Sequence, residues 1–508
     1  MLSRRCWILL CLIACLAGCE RDWREAAVKD EEYAYRTLRD NHPAMVDPAN
    51  GEFSATLERA HAKASALAER VQTPAGYMYA LRRLTIPFND LHVGAGFYER
   101  FERSRGWPGF ALGYENDQFV VKIRENKEAP PLGAQLISCD GRSVDEMLDA
   151  RIRPFIGNWA LPGKRPGDAP YLLANTGNPF VDLPKQCRFS APAGERDYAL
   201  EWVALDDAQF LARFDAFEPA VDNQTAWRQL DDGSIWISVA SFDLFDPSKK
   251  SSLTALAAEL KQQSTALGQA PSLTIDVRGN LGGSSEGGQL IASAIWGEDY
   301  VDQVRPRATR VDWRASEQNV EALTNMLPML KTALGDNDQT FRRINAVEQG
   351  MQQALSQGDD YYAEMQQAAA DTNHQPLTKR TVFLLVDQAC VSACLDFIDL
   401  LTQIPGVTLV GKQTSGDTRY LEVRAASLPS GLGQIAFPTA AHRGRLRADN
   451  QSYVPAHVWD GDISKTAELE GWLQDLASRL AESAHSQSTE LPMMDGDKEA
   501  DSGQDVSS

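Results

Sequence analysis

The sequence predicts an α/β fold, and the main reason is the alternation of strands and helices between residues 226 and 482. Amphipathic helices are predicted at residues 253–267 and 464–481, where apolar side chains recur every three or four residues. Strands that alternate with such helices indicate an α/β core. The runs with the length and composition of buried strands are residues 234–239, 272–277, 381–386 and 407–410.

A small helical domain is predicted before this core, over residues 20–100. Between residues 23 and 84 apolar side chains keep a helical spacing that is interrupted near Pro43 and Pro48. From residue 87 to residue 97 the period changes to two, because every second residue is apolar. This alternation predicts a strand that contains His92.

The next part of the chain, residues 106–215, reads as a β-rich module of short strands and turns. A strand, an Asp-Gly turn at Asp140 and Gly141, and a helix start follow one another there. This order resembles a PDZ-type module, and the resemblance implies an exposed strand edge that accepts an extended or C-terminal peptide. Within the core, residues of about 305–375 are polar and helical in pattern and indicate a helical insertion that caps a cleft. Residues 483–508 are acidic and polar and are expected to be disordered.

The charge and the metal-binding residue types exclude several functions. The chain of 508 residues has a net charge of −20 and a pI near 4.9. Such a surface repels phosphate backbones, so no nucleic-acid partner is expected. There are seven histidines and neither a C-x-x-C nor an H-E-x-x-H motif, so we expect no metal site and no cofactor.

The N-terminus resembles the signal peptide of a bacterial lipoprotein, over residues 1–19. Two arginines precede an apolar stretch too short to span a bilayer, and the stretch ends in Leu-Ala-Gly-Cys at Cys19. The resemblance implies acylation of Cys19 and a membrane attachment through the lipid. The next residue, Glu20, is not the aspartate that favours the inner membrane, so we expect an outer-membrane lipoprotein facing the periplasm. An ordinary secretory signal is the alternative.

Export makes disulfides possible, because the periplasm is oxidising. Four cysteines follow Cys19, and four allow three pairings. Pairing between sequence neighbours gives Cys139–Cys187 and Cys390–Cys394, and free buried thiols are the alternative for the first pair.

Two segments could supply a serine nucleophile. One is the G-x-S-x-G pattern around Ser285, which five loop residues separate from its strand, so a sharp nucleophile elbow is not expected there. The glycines Gly282 and Gly283 in the same loop, which precedes a helix predicted from residue 289 onward, could instead direct backbone amides at an oxyanion. A phosphate site is rejected, because no Gly-Lys-Ser/Thr follows. The other segment is Ser392 with Ala393, between a buried strand and a helix expected to begin there.

These segments together resemble the C-terminal-processing and tricorn-like serine peptidases, the tail-specific protease family. Residues 273–284 carry a D-x-R-x-N-x-G-G pattern, and residues 411–416 carry G-x-x-T-x-G. The resemblance covers most of residues 25–480 and implies a crotonase-like core and a peptide or protein substrate. It also implies that Ser392 attacks the substrate and that Ala393 with Gly282 or Gly283 holds the oxyanion.

The general base is the point at which the sequence departs from part of this family. The C-terminal-processing branch has a lysine directly after the G-x-x-T-x-G turn, where this chain has Asp417, and Lys412 lies inside the turn. The tricorn-like branch uses a histidine, which His92 matches, with His457 as the second candidate. The residue that would orient the imidazole stays open between Asp417, Asp449 and Asp460. Two other functions remain, a non-catalytic peptide- or ligand-binding protein on the same fold and an esterase that uses Ser285.

Overall fold

The computed structural model describes residues 21–215, 217, 221–366, 374–377 and 380–489. The predicted signal peptide with Cys19 and the tail beyond Thr489 lie outside the described residues. The helices are α1 (Trp23–Asn41), α2 (Glu52–Ala68), α3 (Pro74–Thr85), α4 (Val144–Arg151), α5 (Arg165–Asp168), α6 (Asp207–Phe214), α7 (Pro247–Gln262), α8 (Ser264–Gln269), α9 (Ser285–Trp296), α10 (Glu298–Val304), α11 (Glu317–Leu334), α12 (Gln339–Gln357), α13 (Ala393–Leu401) and α14 (Thr466–Thr489).

The strands form three larger sheets and one two-stranded ribbon. In chain order they are β1 (Gly94–Phe97), β2 (Arg105–Trp107), β3 (Phe110–Glu115), β4 (Gln118–Arg124), β5 (Gln135–Cys139), β6 (Arg142–Ser143), β7 (Gln186–Ala191), β8 (Gly194–Ala199), β9 (Val203–Leu205), β10 (Ala226–Gln229), β11 (Ile235–Ser238), β12 (Leu273–Asp276), β13 (Arg310–Arg314), β14 (Tyr361–Met365), β15 (Val382–Val386), β16 (Val407–Gly411), β17 (Tyr420–Ser427), β18 (Gly433–Arg443) and β19 (His457–Val458).

The central sheet has the order β10-β11-β12-β15-β16-β19, and only β10 runs antiparallel to its neighbour. The inner strands β11, β12 and β15 are buried on both faces, which explains why they read as continuous apolar runs. Leu384 of β15 packs towards α7, α9 and α13, whereas its neighbours Phe383 and Leu385 pack towards α14. The predicted α/β class is confirmed as a three-layer core.

A second, antiparallel sheet joins distant parts of the chain. Its order is β1-β18-β13-β14, with β17 also paired to β18. The N-terminal strand β1 pairs with β18, as in Gly94 opposite Ala436, so the N-terminal helices are fixed to the C-terminal half. The predicted helical insertion is only partly helical, because β13 and β14 flank its helices α11 and α12 and complete this sheet.

The β-module contains the sheet β3-β4-β5-β7-β8 with β6 beside β5, and α4 packs against it. Cys139 of β5 lies opposite Cys187 of β7, and the two form a disulfide. The Ser143 hydroxyl and the Glu146 carboxylate form a capping box that fixes the start of α4.

The last helix extends beyond the prediction, since α14 continues to Thr489 rather than ending near residue 481. Residues 483–489, expected to be disordered, therefore belong to a helix. Within the described parts of the chain no helix is both long and apolar enough to cross a membrane.

Candidate active site

The candidate site lies where the parallel strands of the central sheet end. The carboxyl ends of β11, β12, β15 and β16 meet at one edge, as the register of Ser238 with Asp276 and of Val386 with Gly411 shows. Open α/β sheets place their ligands at this edge, because the loops that leave it converge there. The glycine loop after β12 and the serine turn after β15 are such loops.

The glycine loop is held to the core by its polar residues. Arg278 is fully buried and donates two hydrogen bonds to the Asp276 carboxylate, with Nη2 2.6 Å from Oδ2. The same guanidinium donates to the carbonyl of Ile463 and to the hydroxyl of Thr466 at the start of α14. A buried ion pair supported by further hydrogen bonds in this way fixes geometry more than it adds net stability.

Asn280 decides which glycine can act as an oxyanion donor. Its side chain donates to the carbonyl of Val239 and accepts a hydrogen bond of 2.8 Å from the amide of Gly282. The amides of Gly283 and Ala393 make no hydrogen bond within the described residues. Of the two glycines predicted as donors, Gly283 therefore keeps its amide available, and Gly282 does not.

Gly282 contributes close contact with the serine turn instead. Its φ is +89°, and a Cβ on it would lie 2.9 Å from the amide nitrogen of Ala393 and 3.0 Å from the Cβ of Ser392. A side chain at Gly282 would fill the space in front of the Ala393 amide. The structure thus brings Gly282, Ser392 and Ala393 close together.

Asp387 connects the glycine loop to the serine turn through its side chain. Its buried carboxylate accepts the amides of Gly279 in the glycine loop, at 3.0 Å, and of Ala389 in the serine turn. Burial, together with the nearby Asp276 charge, raises the pKa of Asp387 to about 6. The carboxylate form is the one that accepts both amides.

Ser392 occupies a strained position directly before α13. Its φ is +57° and its ψ is −127°, a region that costs a residue with a Cβ about 1–3 kcal/mol. It stands at the N-cap of α13, but its side chain makes no capping hydrogen bond. Within the described residues this hydroxyl makes no other hydrogen bond either, in contrast to the hydroxyl of an ordinary N-cap serine.

The disulfide Cys390–Cys394 brackets this serine, with a Cα–Cα distance of 5.3 Å. Closing so short a loop should add only about 2 kcal/mol to the free energy of unfolding, whereas the long Cys139–Cys187 loop should add about 4 kcal/mol. We expect Cys390→Ala/Cys394→Ala to lower turnover strongly, because the serine turn loses its constraint, and to lower the free energy of unfolding only slightly. Cys139→Ala/Cys187→Ala should lower the free energy of unfolding clearly and turnover only slightly. Urea unfolding and peptide turnover of both variants test this crossed result, and equal losses of turnover would contradict it.

His92 lies in a turn and not in the predicted strand, which begins only at Gly94. Asn89 has a φ of +49°, and the Asp90 carboxylate accepts the backbone amide of His92 at 2.9 Å, so the chain turns here before β1. This Asx turn was hidden in the sequence, because its residues continue the alternating pattern of the strand.

Asp90 is the carboxylate nearest to the His92 ring. Its Oδ1 lies 3.4 Å from Nδ1, and its Oδ2 accepts a hydrogen bond of 2.7 Å from Thr418. Neither ring nitrogen makes a short hydrogen bond within the described residues, although both are buried. Asp90 was missed as an orienting residue, and its position two residues before the histidine was the available signal.

The environment of His92 favours the charged imidazolium. Burial by itself lowers the pKa of His92, but the Asp90 carboxylate and the charge of Asp417 outweigh it, so the net pKa is raised. Asp417, one of the three predicted orienting residues, is thus close enough to act electrostatically. Asp449 instead pairs with Arg419 at the surface.

Arg447 links Asp417, whose charge acts on His92, to α13, the helix that begins after Ser392. It is fully buried at its side chain and forms ion pairs with Asp417, at 2.9 Å, with Asp396, at 2.8 Å, and with Asp399. Asp396 and Asp399 lie on α13, and Arg445 adds a second partner for Asp417. These contacts hold the turn at 414–418 against α13.

Ser285 has a different environment from Ser392. It is the first residue of α9, which begins four residues earlier than the predicted start at residue 289, and its hydroxyl donates to Asp396 at 2.6 Å. Burial raises the pKa of Asp396, but the ion pair with Arg447 and the other partners of this carboxylate outweigh burial, and the net pKa is lowered. Asp396 is therefore a weak base. A serine held this way lacks an imidazole to activate it.

The remaining candidates for the general base have other surroundings than His92. His457 is in the edge strand β19. Lys412 faces the carboxylates of Asp460, Asp462 and Asp387, and burial lowers its pKa. Asp460, the last of the predicted orienting residues, is accordingly a neighbour of Lys412.

Residues 236–445 match the family model of Peptidase family S41. They form an S41 peptidase domain. The matched segment contains both loops of the site, and the chain is a serine-type peptidase. A comparison with the sequences of curated proteins finds no match.

Two solved structures resemble this chain over almost its whole length. Mature CPAF has 13% identity and a TM-score of 0.52 and covers 86% of this chain and 92% of its own. Mature CPAF complexed with lactacystin has 14% identity and a TM-score of 0.53 and covers 90% and 98%. At this identity the likeness shows a shared fold.

Proposed function

We propose that the S41 peptidase is an endopeptidase that cleaves peptide or protein substrates by acyl-enzyme chemistry, with Ser392 as nucleophile and His92 as general base. The observation that carries this proposal is the hydroxyl of Ser392, which at a positive φ makes no hydrogen bond within the described residues and lies next to the equally unbonded amide of Ala393. Strain is maintained at a functional residue only where the surroundings enforce it. The disulfide and the close approach of Gly282 are those surroundings.

In the proposed reaction Ser392 Oγ bonds to the scissile carbonyl carbon while its proton passes to an imidazole nitrogen of His92. The carbonyl oxygen becomes an oxyanion, which the amides of Gly283 and Ala393 stabilise. The C–N bond then breaks, and the imidazolium returns the proton to the leaving amine. Water hydrolyses the acyl-enzyme by the same sequence. Asp90 and Asp417 stabilise the imidazolium.

The proposal extends to the cellular setting. A lipoprotein attached through Cys19 would work in the periplasm, facing inward from the outer membrane, and the two disulfides suit that oxidising compartment. The β-module acts in this proposal as a PDZ-like element that recruits an extended peptide. Expression of the full chain, globomycin treatment and mass spectrometry of the N-terminus test the anchor, and an unacylated N-terminus would contradict it.

Labelling with a fluorophosphonate probe tests the nucleophile directly. We expect a covalent adduct on Ser392, located by peptide mass spectrometry, because the probe reacts with activated serines. Since mature CPAF forms a complex with lactacystin, that compound is a suitable competitor. An adduct on Ser285 would favour the esterase, and folded protein without an adduct would favour a non-catalytic binding protein.

The raised pKa of His92 predicts the pH profile. The base must be neutral to take a proton, so kcat/KM should fall as the pH decreases through the His92 pKa, with a midpoint above the ordinary value of about 6.5. Asp90→Asn removes the largest contribution that raises this pKa, so the midpoint should move to lower pH. The matched control Asp449→Asn should leave it in place. An unchanged midpoint in Asp90→Asn would contradict the assignment of His92.

A further inference from the structure

Asp387 makes the hydrogen bond that joins the two loops of the candidate site. Its Oδ2 accepts the amide of Gly279 in the glycine loop, and its Oδ1 accepts the amide of Ala389 in the serine turn, both at 3.0 Å. Among the described residues, no other hydrogen bond connects the glycine loop (residues 278–284) with the serine turn (residues 387–393). Each oxygen of one rigid carboxylate therefore holds one loop.

Elsewhere the two loops meet by contact alone. Gly282 lies against the serine turn, because a Cβ on it would be 2.6 Å from the carbonyl oxygen of Val391 and 2.9 Å from the amide nitrogen of Ala393. Such a contact limits how closely the loops approach, but it adds little attraction between them. The hydrogen bonds of Asp387 are what hold the loops together at this end of the sheet.

The separation of the loops matters because the two proposed oxyanion donors belong to different loops. The amide of Gly283 comes from the glycine loop, and the amide of Ala393 directly follows Ser392 in the serine turn. Neither amide makes a hydrogen bond within the described residues. Both donors stabilise one oxyanion only when each lies about 2.7–3.1 Å from it, so a shift of about 0.5 Å between the loops weakens one of them.

The charged groups around Asp387 leave its carboxylate without an ion pair of its own. Arg278 already pairs with Asp276, the acidic neighbour on β12. Lys412 follows β16 and donates its amide to the carbonyl of Val386, and its charge acts on Asp387, but the two side chains form no ion pair. Burial, together with the Asp276 charge, raises the pKa of Asp387 to about 6. This carboxylate therefore takes up a proton at mildly acidic pH.

Protonation of Asp387 breaks the connection between the loops. A carboxylic acid carries a hydroxyl group that donates a hydrogen bond, whereas both partners of Asp387, the amides of Gly279 and Ala389, are donors themselves. One of these amides then loses its acceptor. Only the ionised side chain can hold both loops at once.

We propose that Asp387 is a positioning residue of the peptidase, whose ionised carboxylate holds the glycine loop and the serine turn in the register that directs the amides of Gly283 and Ala393 at one oxyanion. It acts through the two loops, because its own side chain is buried. The inference rests on the proposed function and adds a residue to which that function assigns no role.

The pH dependence of peptide hydrolysis tests this role, because a merely structural residue would add no ionisation to it. In the wild type both His92 and Asp387 must be deprotonated, so log(kcat/KM) should fall with a slope of one through the raised pKa of His92 and steepen towards two below about pH 6. A slope of two that persists in Asp387→Asn would overturn the proposal.

The same variant is expected to separate kcat from KM. An asparagine side chain accepts through one oxygen only, so Asp387→Asn should lower kcat about 10- to 100-fold even at alkaline pH, leave KM unchanged and show a slope of one. An unchanged kcat would overturn the proposal. Asp232→Asn is the matched control, because Asp232 accepts the amide of Ser234 in the turn before β11, at the opposite end of the sheet. The control should keep kcat and both slopes, and the same loss in both variants would refute a specific role of Asp387.

Lys412→Gln tests the assignment of the second ionisation without changing Asp387. The substitution removes a positive charge that acts on Asp387, so the steeper part of the profile should begin at higher pH, while kcat at alkaline pH is retained. A steeper part that stays in place would overturn the assignment to Asp387.

A measurement without turnover separates this inference from the proposed function. In the full-length protein labelled with ¹⁵N-glycine, the amide signals of Gly279 and Gly283 should titrate together with a midpoint at about pH 6, and Asp387→Asn should abolish this step. A Gly283 signal that does not follow that of Gly279 would refute the positioning role, even if hydrolysis depends on Ser392. If both signals titrate but no peptide is hydrolysed, the role of Asp387 in holding the loops stands and only the catalytic assignment fails.

Discussion

Ser392→Ala should reduce peptide hydrolysis by about 10⁴-fold or more and leave the free energy of unfolding unchanged. The hydroxyl makes no capping hydrogen bond, so its removal costs the fold little, and alanine keeps the Cβ and with it the same backbone strain. Turnover of a peptide substrate and urea unfolding are the two measurements. Retained turnover would refute the assignment of the nucleophile.

The strain at position 392 gives this experiment a second arm. Ser392→Gly should be as inactive as the alanine variant but more stable by about 1 kcal/mol, because glycine adopts a φ of +57° without steric cost. Ser285→Ala is the matched control and should keep most of the activity. A glycine variant no more stable than the alanine variant would show that the serine turn is not strained.

Arg447→Met should destabilise the protein by about 3–5 kcal/mol, the typical cost of removing one partner from a buried ion pair. The substitution leaves Asp396, Asp399 and Asp417 without their common cation, and the carboxylate of Asp417 is fully buried. We also expect lower turnover, since the contacts between α13 and the surroundings of His92 are lost. Urea unfolding and peptide turnover measure the two effects.

The control for this prediction is Arg419→Met. Arg419 pairs with Asp449 at the surface, where both side chains are about one third exposed, so its loss should cost at most about 1 kcal/mol. Similar losses of stability in the two variants would contradict the central role of Arg447. Arg447→Lys should fall between them, because lysine keeps the charge but cannot contact three carboxylates at once.

The sequence predicted those parts of the fold that depend on local pattern. The buried strands β12 and β15 are continuous apolar runs and were predicted nearly at their observed bounds. The helical region over residues 23–84 was also predicted, but the break between Ala68 and Pro74 that separates α2 from α3 was not. The start of α9 was placed too late, because Gly287 and Gly288 resemble loop residues. Glycine is needed at this point of the helix, because a Cβ on Gly288 would come within 2.9 Å of Phe397. A larger residue would keep α9 and α13 apart.

The candidate site was predicted where its residues carry a motif and missed where they act through distant contacts. Ser392, Ala393 and the glycine loop were predicted as one candidate site, but the choice between Gly282 and Gly283 depended on which amide the Asn280 side chain accepts. Arg447 joins no motif, and its partners precede it by 30 to 51 residues. Such a role cannot be read from composition or periodicity.

The pairing of β1 with β18 also constrains when the site can form during synthesis. Gly94 must wait for Ala436, so a contact of very long sequence separation has to close before the strand that follows His92 is in place. Contacts of this kind form slowly and late. A nascent chain that already contains Ser392 therefore still lacks the pairing of β1 with β18, and we expect the segment around His92 to become ordered only after residues 433–443 have been synthesised.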